Sequence, residues 1–289
     1  MKFWVAGGLV PEERATVPVL DHGFTVGDGV FETLKTVTDP AVGVVPFAMD
    51  RHLVRLARSA NGMGIDGLDA DEVRDALLAV CAANPELADG GRLRVTLSSG
   101  PGPLGSDRTP AAANLVVVAS PSIPWAPSTT LALSPWPRNE RSPLAGLKST
   151  SYAENVLALA RAKSLGAQEA LLTNLAGEVC EGTGSNVFVV IDGTITTPPL
   201  SGGCLAGITR ALVVQWCAEA GIEVQERAIT MDELAGAEEI FITSSTRDVH
   251  PVAAVLDDDG ARWWSAGASP KTALAAEVFR TRSAAQWNP

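Results

Sequence analysis

The sequence predicts an α/β (α+β) chain of two domains, a small N-terminal α+β domain and a larger C-terminal α/β domain. Three observations predict it. From Lys2 to about Ser120, short β-rich runs are broken by two amphipathic stretches. A proline-rich segment, PSIPWAPS, follows, and beyond it strands and helices are mixed. At 289 residues and 46% hydrophobic composition, the chain has the apolar content for two medium-sized interiors.

The runs KFWVA, VFETLKTV, RLRVTLS and NLVVVAS read as strands, because β-branched side chains crowd them and apolar residues recur with a period near two. Residues 50–61 and 71–83 carry the helical period instead. Three prolines in residues 121–128 remove ladder donors and helix interiors alike. A linker is therefore expected at 120–128, dividing a domain at 1–119 from one at 129–289. In the second domain TTLALS, EALLT, NVFVVI and EEIFITS read as strands, and 152–164, 208–220 and 271–282 as helices. No internal repeat shows at a fixed period.

Charge narrows the function. Twenty-two basic residues against 33 acidic ones leave a net charge of −11, which repels nucleic-acid phosphates and anionic lipid. No apolar run approaches the roughly 18 residues of a membrane span, so a cytoplasmic protein with neither nucleic-acid nor membrane partners is expected. The four cysteines form no CxxC pair and the three histidines lie far apart, so neither a disulfide framework nor a metal site is expected.

Five segments carry candidate chemistry. Of the five lysines, Lys148 alone precedes a helix start, with Ser151 and Glu154 at capping-box spacing. A helix dipole there would favour the neutral, nucleophilic amine. LSGGCLAGITRA runs a glycine loop into a helix at Ile208 and Thr209, a site for a phosphate. FITSSTRDV ends a strand in the hydroxyls of Thr243, Ser244, Ser245 and Thr246, where α/β domains often bind ligands. RHLVRLARS places Arg51 and Arg55 on one helix face, able to hold an anion. EVCEGTGSNVF sets Glu181 before a glycine loop and an apolar strand, able to point inward.

In this order, the segments DHGFTVGDGVFETLK, RHLVRLARSA, LKSTSYAENVLALARA, VCEGTGSNVF, LAGITRA and TSSTRDVHPV resemble the class IV (fold type IV) pyridoxal-phosphate aminotransferases. That family includes D-amino acid transaminases, branched-chain transaminases and aminodeoxychorismate lyases. The resemblance implies a two-domain enzyme with pyridoxal 5'-phosphate as cofactor, forming homodimers with shared active sites. It implies Lys148 as the lysine that bonds the cofactor and shuttles the proton, and Glu181 as the carboxylate on the pyridinium nitrogen. Arg55, Ile208, Thr209 and Ser245 resemble the phosphate cup, Leu205 the apolar residue on the ring, and Tyr152 a contact to the cofactor's 3-oxygen.

For the substrate, EGTGSNVF and TSSTRDVHPV read closest to D-amino acid transaminases. Phe31 stands where that subfamily usually has tyrosine, and SSGPGPLGSDR has no clear Arg-x-His clamp. Phe31, Thr33 and Lys35 share one strand face by period two, as do Arg92, Arg94 and Thr96. Lys35, Arg94 and Arg108 are thus the expected carboxylate contacts beside Phe31 and Thr246. The expectation is a transaminase of broad specificity favouring D-amino acids. The alternatives are aminodeoxychorismate lyase, releasing pyruvate and forming 4-aminobenzoate, and a branched-chain L-amino acid transaminase.

Overall fold

The computed structural model describes residues 1–88, 90–109 and 112–289. These form two compact units. The first holds Met1–Ile123, Leu147–Tyr152 and Gln286–Pro289; the second holds Pro124–Gly146 and Ala153–Ala285. Two short segments that a linear division gives to the larger domain, 147–152 and 286–289, thus belong to the first unit, and Lys148 goes with them.

The first unit runs β1 (Lys2–Val5), β2 (Gly8–Pro11), α1 (His22–Thr25), β3 (Gly29–Asp39), β4 (Gly43–Pro46), α2 (Met49–Gly62), α3 (Ala70–Ala83), β5 (Gly91–Ser98) and β6 (Asn114–Pro121). Its antiparallel sheet has the order β2-β1-β6-β5-β3-β4. β3 alternates as its sequence requires. Val30 and Leu34 are fully buried and join Leu93, Val95 and Val117 in one cluster with Leu53, Leu56, Val73 and Leu77 of α2 and α3. Phe31, Thr33 and Lys35 take the other face. The start of α2 has no side-chain cap of its own; the Asp50 amide donates to Asn288 Oδ1 at 3.0 Å, and the Ala48 amide to the Trp287 carbonyl at 2.6 Å.

The second unit runs β7 (Thr129–Leu133), α4 (Ala153–Ser164), β8 (Glu169–Thr173), β9 (Val179–Gly182), β10 (Asn186–Ile191), β11 (Thr194–Thr197), α5 (Ile208–Glu219), β12 (Val224–Glu226), α6 (Met231–Ala235), β13 (Glu239–Ser244), β14 (Asp248–Leu256), β15 (Arg262–Ser265) and α7 (Pro270–Ala285). The sheet order is β12-β11-β10-β13-β14-β7-β8-β9, with β15 beside β14. β13 is buried on both faces. Ile240 and Ile242 join Leu131, Val187 and Val255 in one cluster, while Phe241 stacks on Phe188 at 4.7 Å. Continuous apolar runs such as EEIFITS follow from this double burial. Among the described residues, no helix is long and apolar enough to cross a membrane.

The strands named from sequence all form. β2, β4, β9, β11, β12 and β15 were not expected, since each is three or four residues long and carries too few side chains to show a period; β14, nine residues long, was also not expected, Pro251 and the polar start DVH interrupting its apolar run. The capping box expected at Ser151 does not mark the helix: α4 begins at Ala153, and the Ser151 hydroxyl donates to the Gly27 carbonyl at 3.0 Å.

Leu34 is fully buried at the centre of the first cluster. Leu34→Ala should destabilise the first unit by about 2–5 kcal/mol through lost transfer energy and the cavity left behind. Urea unfolding with separate probes in the two units tests this, and an unchanged first midpoint contradicts it.

Candidate active site

Lys148 is positioned by backbone pairing. The Phe31 amide donates to the Lys148 carbonyl at 2.9 Å and the Thr150 amide to the Gly29 carbonyl at 2.7 Å, bracketing an antiparallel bridge between Val30 and Ser149. The Lys148 amide donates to Ser59 Oγ of α2 at 3.1 Å. This close approach explains Gly29, where a Cβ would stand 3.0 Å from both Thr150 Oγ1 and the Leu97 carbonyl. Lys148 therefore lies in a segment paired to β3, five residues before α4 in the chain. Its ammonium sits 4.4 Å from the centre of the Phe31 ring.

The same ring gathers two more expected residues. The Arg94 guanidinium lies 3.7 Å from the Phe31 centroid, and Tyr152 meets Phe31 edge-on at 5.4 Å. Arg94 is half-buried, and burial pulls its pKa below the ordinary value against the pull of Tyr152. No carboxylate pairs with Arg94 among the described residues; its one side-chain hydrogen bond runs from Nε to Thr96 Oγ1 at 3.4 Å. The ladder sets Lys35 opposite Arg92 and Thr33 opposite Arg94, so three cations share this face. Lys35 lies 4.6 Å from the Phe47 ring.

Arg108, expected as a substrate contact, has its guanidinium bound within the first unit. Its Nε and Nη2 bind the two oxygens of Asp28 at 2.7 and 2.5 Å, and Nη1 and Nη2 donate to the carbonyls of Gly64 and Met63 at 2.6 and 2.8 Å. The guanidinium is committed to clasping its own loop to the start of β3 and the end of α2. Loop sequence carries no signal for such a partner.

On the opposite face of β3 lies a group that sequence reading did not single out. Glu32, 1% exposed, is gripped by Arg55 through Nε to Oε1 and Nη2 to Oε2, each at 2.7 Å, and by His52 Nδ1 at 2.6 Å. Opposite an ionised carboxylate, His52 Nδ1 must be the donor. Arg55, expected only as a phosphate contact, is thus also half of a buried ion pair. A signal existed: Glu32 occupies a position between Val30 and Leu34 that the strand period marks apolar.

In the second unit, Glu181, the last residue but one of β9, has both oxygens held: Arg138 Nε donates to Oε1 at 3.1 Å, and the Leu205 amide to Oε2 at 2.9 Å. Arg138 also donates to Asn155 Oδ1 at 3.1 Å, and Asn155 to the Thr183 carbonyl at 2.6 Å. Neither was legible, Arg138 being one of two arginines, with Arg141, in a proline-rich turn that shows no period. The Leu205 carbonyl accepts from Asn186 at 2.8 Å. Ile208 and Thr209 open α5 as expected, behind an N-cap, Gly207, that offers no side-chain cap. A Cβ at Gly207 would collide with Asn186 Oδ1, so a larger residue there would have to displace the Asn186 side chain. Ser245 and Thr246 lie in the turn after β13, where the Thr246 carbonyl accepts from Trp125 Nε1 at 2.8 Å. Arg247 stacks on Trp125 at 4.0 Å and pairs with Glu169 at 3.1 Å.

Pyridoxal phosphate asks for an amine for its aldehyde, a carboxylate for its pyridine nitrogen and uncapped amides for its phosphate. Lys148, Glu181 and the first turn of α5 are donors of those three kinds, and the uncapped glycine turn fits the phosphate. Chemistry and fold together define a pyridoxal-phosphate-dependent transaminase of fold type IV. A model of the amino-transferase class IV family matches residues 29–255, and the chain belongs to that family. A putative branched-chain-amino-acid aminotransferase of Methanocaldococcus jannaschii is 36% identical over 261 residues, covering 87% of each chain. A D-alanine aminotransferase of Bacillus licheniformis is 33% identical over 279 residues, covering 94% of this chain and 93% of its own. Among solved structures, a branched-chain aminotransferase of Thermoproteus uzoniensis with norvaline superposes with a TM-score of 0.87 at 30% identity, covering 97% of this chain and 93% of its own.

Two buried groups set an acid dependence. Burial alone would raise the Glu32 pKa, but the charges and hydrogen bonds of Arg55 and His52 outweigh it and hold the carboxyl well below the usual range. Burial pushes His52 below its ordinary value, more than Glu32 lifts it, and Arg55 and Lys148 add to the lowering. A depressed carboxyl stabilises the fold above its unfolded pKa of about 4.3, and that stability is lost as pH falls through the acid range. A histidine held neutral costs stability once the unfolded chain takes up protons, below about pH 6.5. Both act in one direction. The melting temperature of the first unit should fall from pH 7 to 5, and His52→Gln should flatten that limb; an unaltered slope in the variant contradicts the assignment.

Proposed function

We propose that the enzyme moves an amino group between an amino acid, D-configured by preference and of broad range, and a 2-oxo acid. When bound, the cofactor supplies an aldehyde to take the amino group and a ring to draw off electrons. Lys148 holds the cofactor and moves the proton at the substrate α-carbon, its amine steadied over Phe31. Glu181 keeps the ring nitrogen protonated, its own charge held in place by Arg138 and the Leu205 amide. Arg55, Ile208, Thr209 and Ser245 take the phosphate, Leu205 packs on the ring, and Tyr152 serves the 3-oxygen.

The observation that carries the substrate reading is Arg94, half-buried on Phe31 without a carboxylate partner among the described residues. A desolvated guanidinium is a strong site for the substrate carboxylate, with Lys35 on the same face and Thr246 as a further contact. The D preference is supported by the EGTGSNVF and TSSTRDVHPV motifs and by the Bacillus relative. The branched-chain relatives make L-leucine, L-isoleucine and L-valine the competing donors. A second reading, aminodeoxychorismate lyase, is favoured by the three cations Lys35, Arg92 and Arg94, which suit a substrate with two carboxylates. We also read the enzyme as a cytoplasmic homodimer. Exposed Val19, Phe24 and Leu104 on the first unit support the second copy, and four free, buried thiols suit a reducing compartment.

Purified enzyme given D- and L-amino acids with 2-oxoglutarate, and aminodeoxychorismate alone, separates the readings. Turnover of D-alanine supports the proposal. Turnover of L-amino acids only, or pyruvate release without an oxo acid, overturns it. Glu181→Gln should lower kcat at least about 100-fold while cofactor stays bound, because an amide does not hold the ring proton by charge. Near-normal turnover would return Glu181 to a structural role. Arg94→Ala should raise KM about ten- to hundredfold for amino acids, the loss of one charge-assisted contact, and little for amines lacking the carboxylate. Equal effects on both sets would remove Arg94 from the site.

A further inference from the structure

We infer that Glu32 is a positioning residue of the cofactor site, fixing the guanidinium of Arg55 in the direction from which it meets the cofactor phosphate. The inference rests on the reading of Arg55 given above. A guanidinium can turn about its long side chain, and an anion site built on it is only as good as its orientation. Here Nε and Nη2 are both bound to Glu32, each at 2.7 Å, which fixes the plane of the fork and the direction of its Nη1 edge. His52 Nδ1 holds the same carboxylate through Oε2 at 2.6 Å.

The module is tied to Lys148 through α2. His52, Arg55 and Ser59 follow one another at spacings of three and four, so they share one helix face. Ser59 Oγ accepts from the Lys148 amide, and Phe31, the residue before Glu32, donates to the Lys148 carbonyl. One helix and one strand thus set both the phosphate contact and the lysine backbone. Stability alone gives little reason for such a group. A buried ion pair pays heavily for desolvation, and an apolar pair of similar volume is often as stable. Val30 and Leu34, on the same strand face, are fully buried.

Glutamine at position 32 keeps the shape but turns an amide nitrogen toward an Arg55 or His52 donor, so the fork loses its grip. The test compares dissociation constants for pyridoxal phosphate and for pyridoxal, read by tryptophan fluorescence of the apo-enzyme. Their ratio isolates the phosphate. Glu32→Gln should cut that ratio about tenfold, the order of one charge-assisted contact, and add nothing to the loss in Arg55→Ala when the two are combined. Glu32→Asp, which keeps the charge but withdraws it by one methylene, should fall between. An unchanged ratio in Glu32→Gln, or equal losses for both ligands, overturns the inference. If Arg55→Ala itself leaves the ratio unchanged, the phosphate reading of Arg55 has failed and the inference falls with it. If Glu32→Gln does not fold, Glu32→Asp decides; if neither folds, Glu32 is a strut of the core and the inference is overturned.

Discussion

The pairing of residues 148–150 with the first residues of β3 is the constraint on which the first unit's site depends. It places a remote segment against a strand through main-chain hydrogen bonds at 2.7 and 2.9 Å, and Gly29 makes the approach sterically possible. Because strand side chains alternate, one pairing sets two environments at once. Phe31 points to the face where Lys148 and Arg94 meet its ring, and Glu32 points into the core to meet Arg55 and His52. A slip of one residue would exchange the two.

Charge is distributed with the same economy. A chain with 11 excess negative charges sets Lys35, Arg92 and Arg94 on a single sheet face. Lys35 directly opposite Arg92 is a like-charge pair, which a ladder tolerates at some cost. The cost has a counterpart in chemistry, since an anionic substrate is drawn to a cationic face despite the net charge of the chain. The second unit works in reverse: Glu181 is one acid held by one arginine and one backbone amide, so the direction of its carboxylate is fixed from both oxygens.

The second unit leans on backbone more than on side chains. The first turn of α5 offers amides behind an uncapped glycine, and the turn after β13 is held by Trp125 through a carbonyl. Groups of this kind leave a sequence signal only when a special residue is required. Gly207 comes nearest to one, because the Asn186 side chain occupies the space a Cβ would need.

Sequence by itself determined the fold class, the strands with clear periods and the family, because hydrophobic period and motif spacing are local properties of the chain. It singled out Lys148, Glu181, Ile208 and Thr209 from short motifs whose chemistry is carried by residue type. Only the tertiary structure decided which groups meet. It took residues 147–152 into the first unit, set the Lys148 ammonium over an aromatic ring, and tied Arg108 to Asp28. It also disclosed Arg138 beside Glu181 and Glu32 beneath Arg55, pairs separated by 43 and 23 residues. The reason is physical: a periodic pattern reports which face a residue takes, while a hydrogen bond between distant residues depends on strand register and on segments returning from far along the chain.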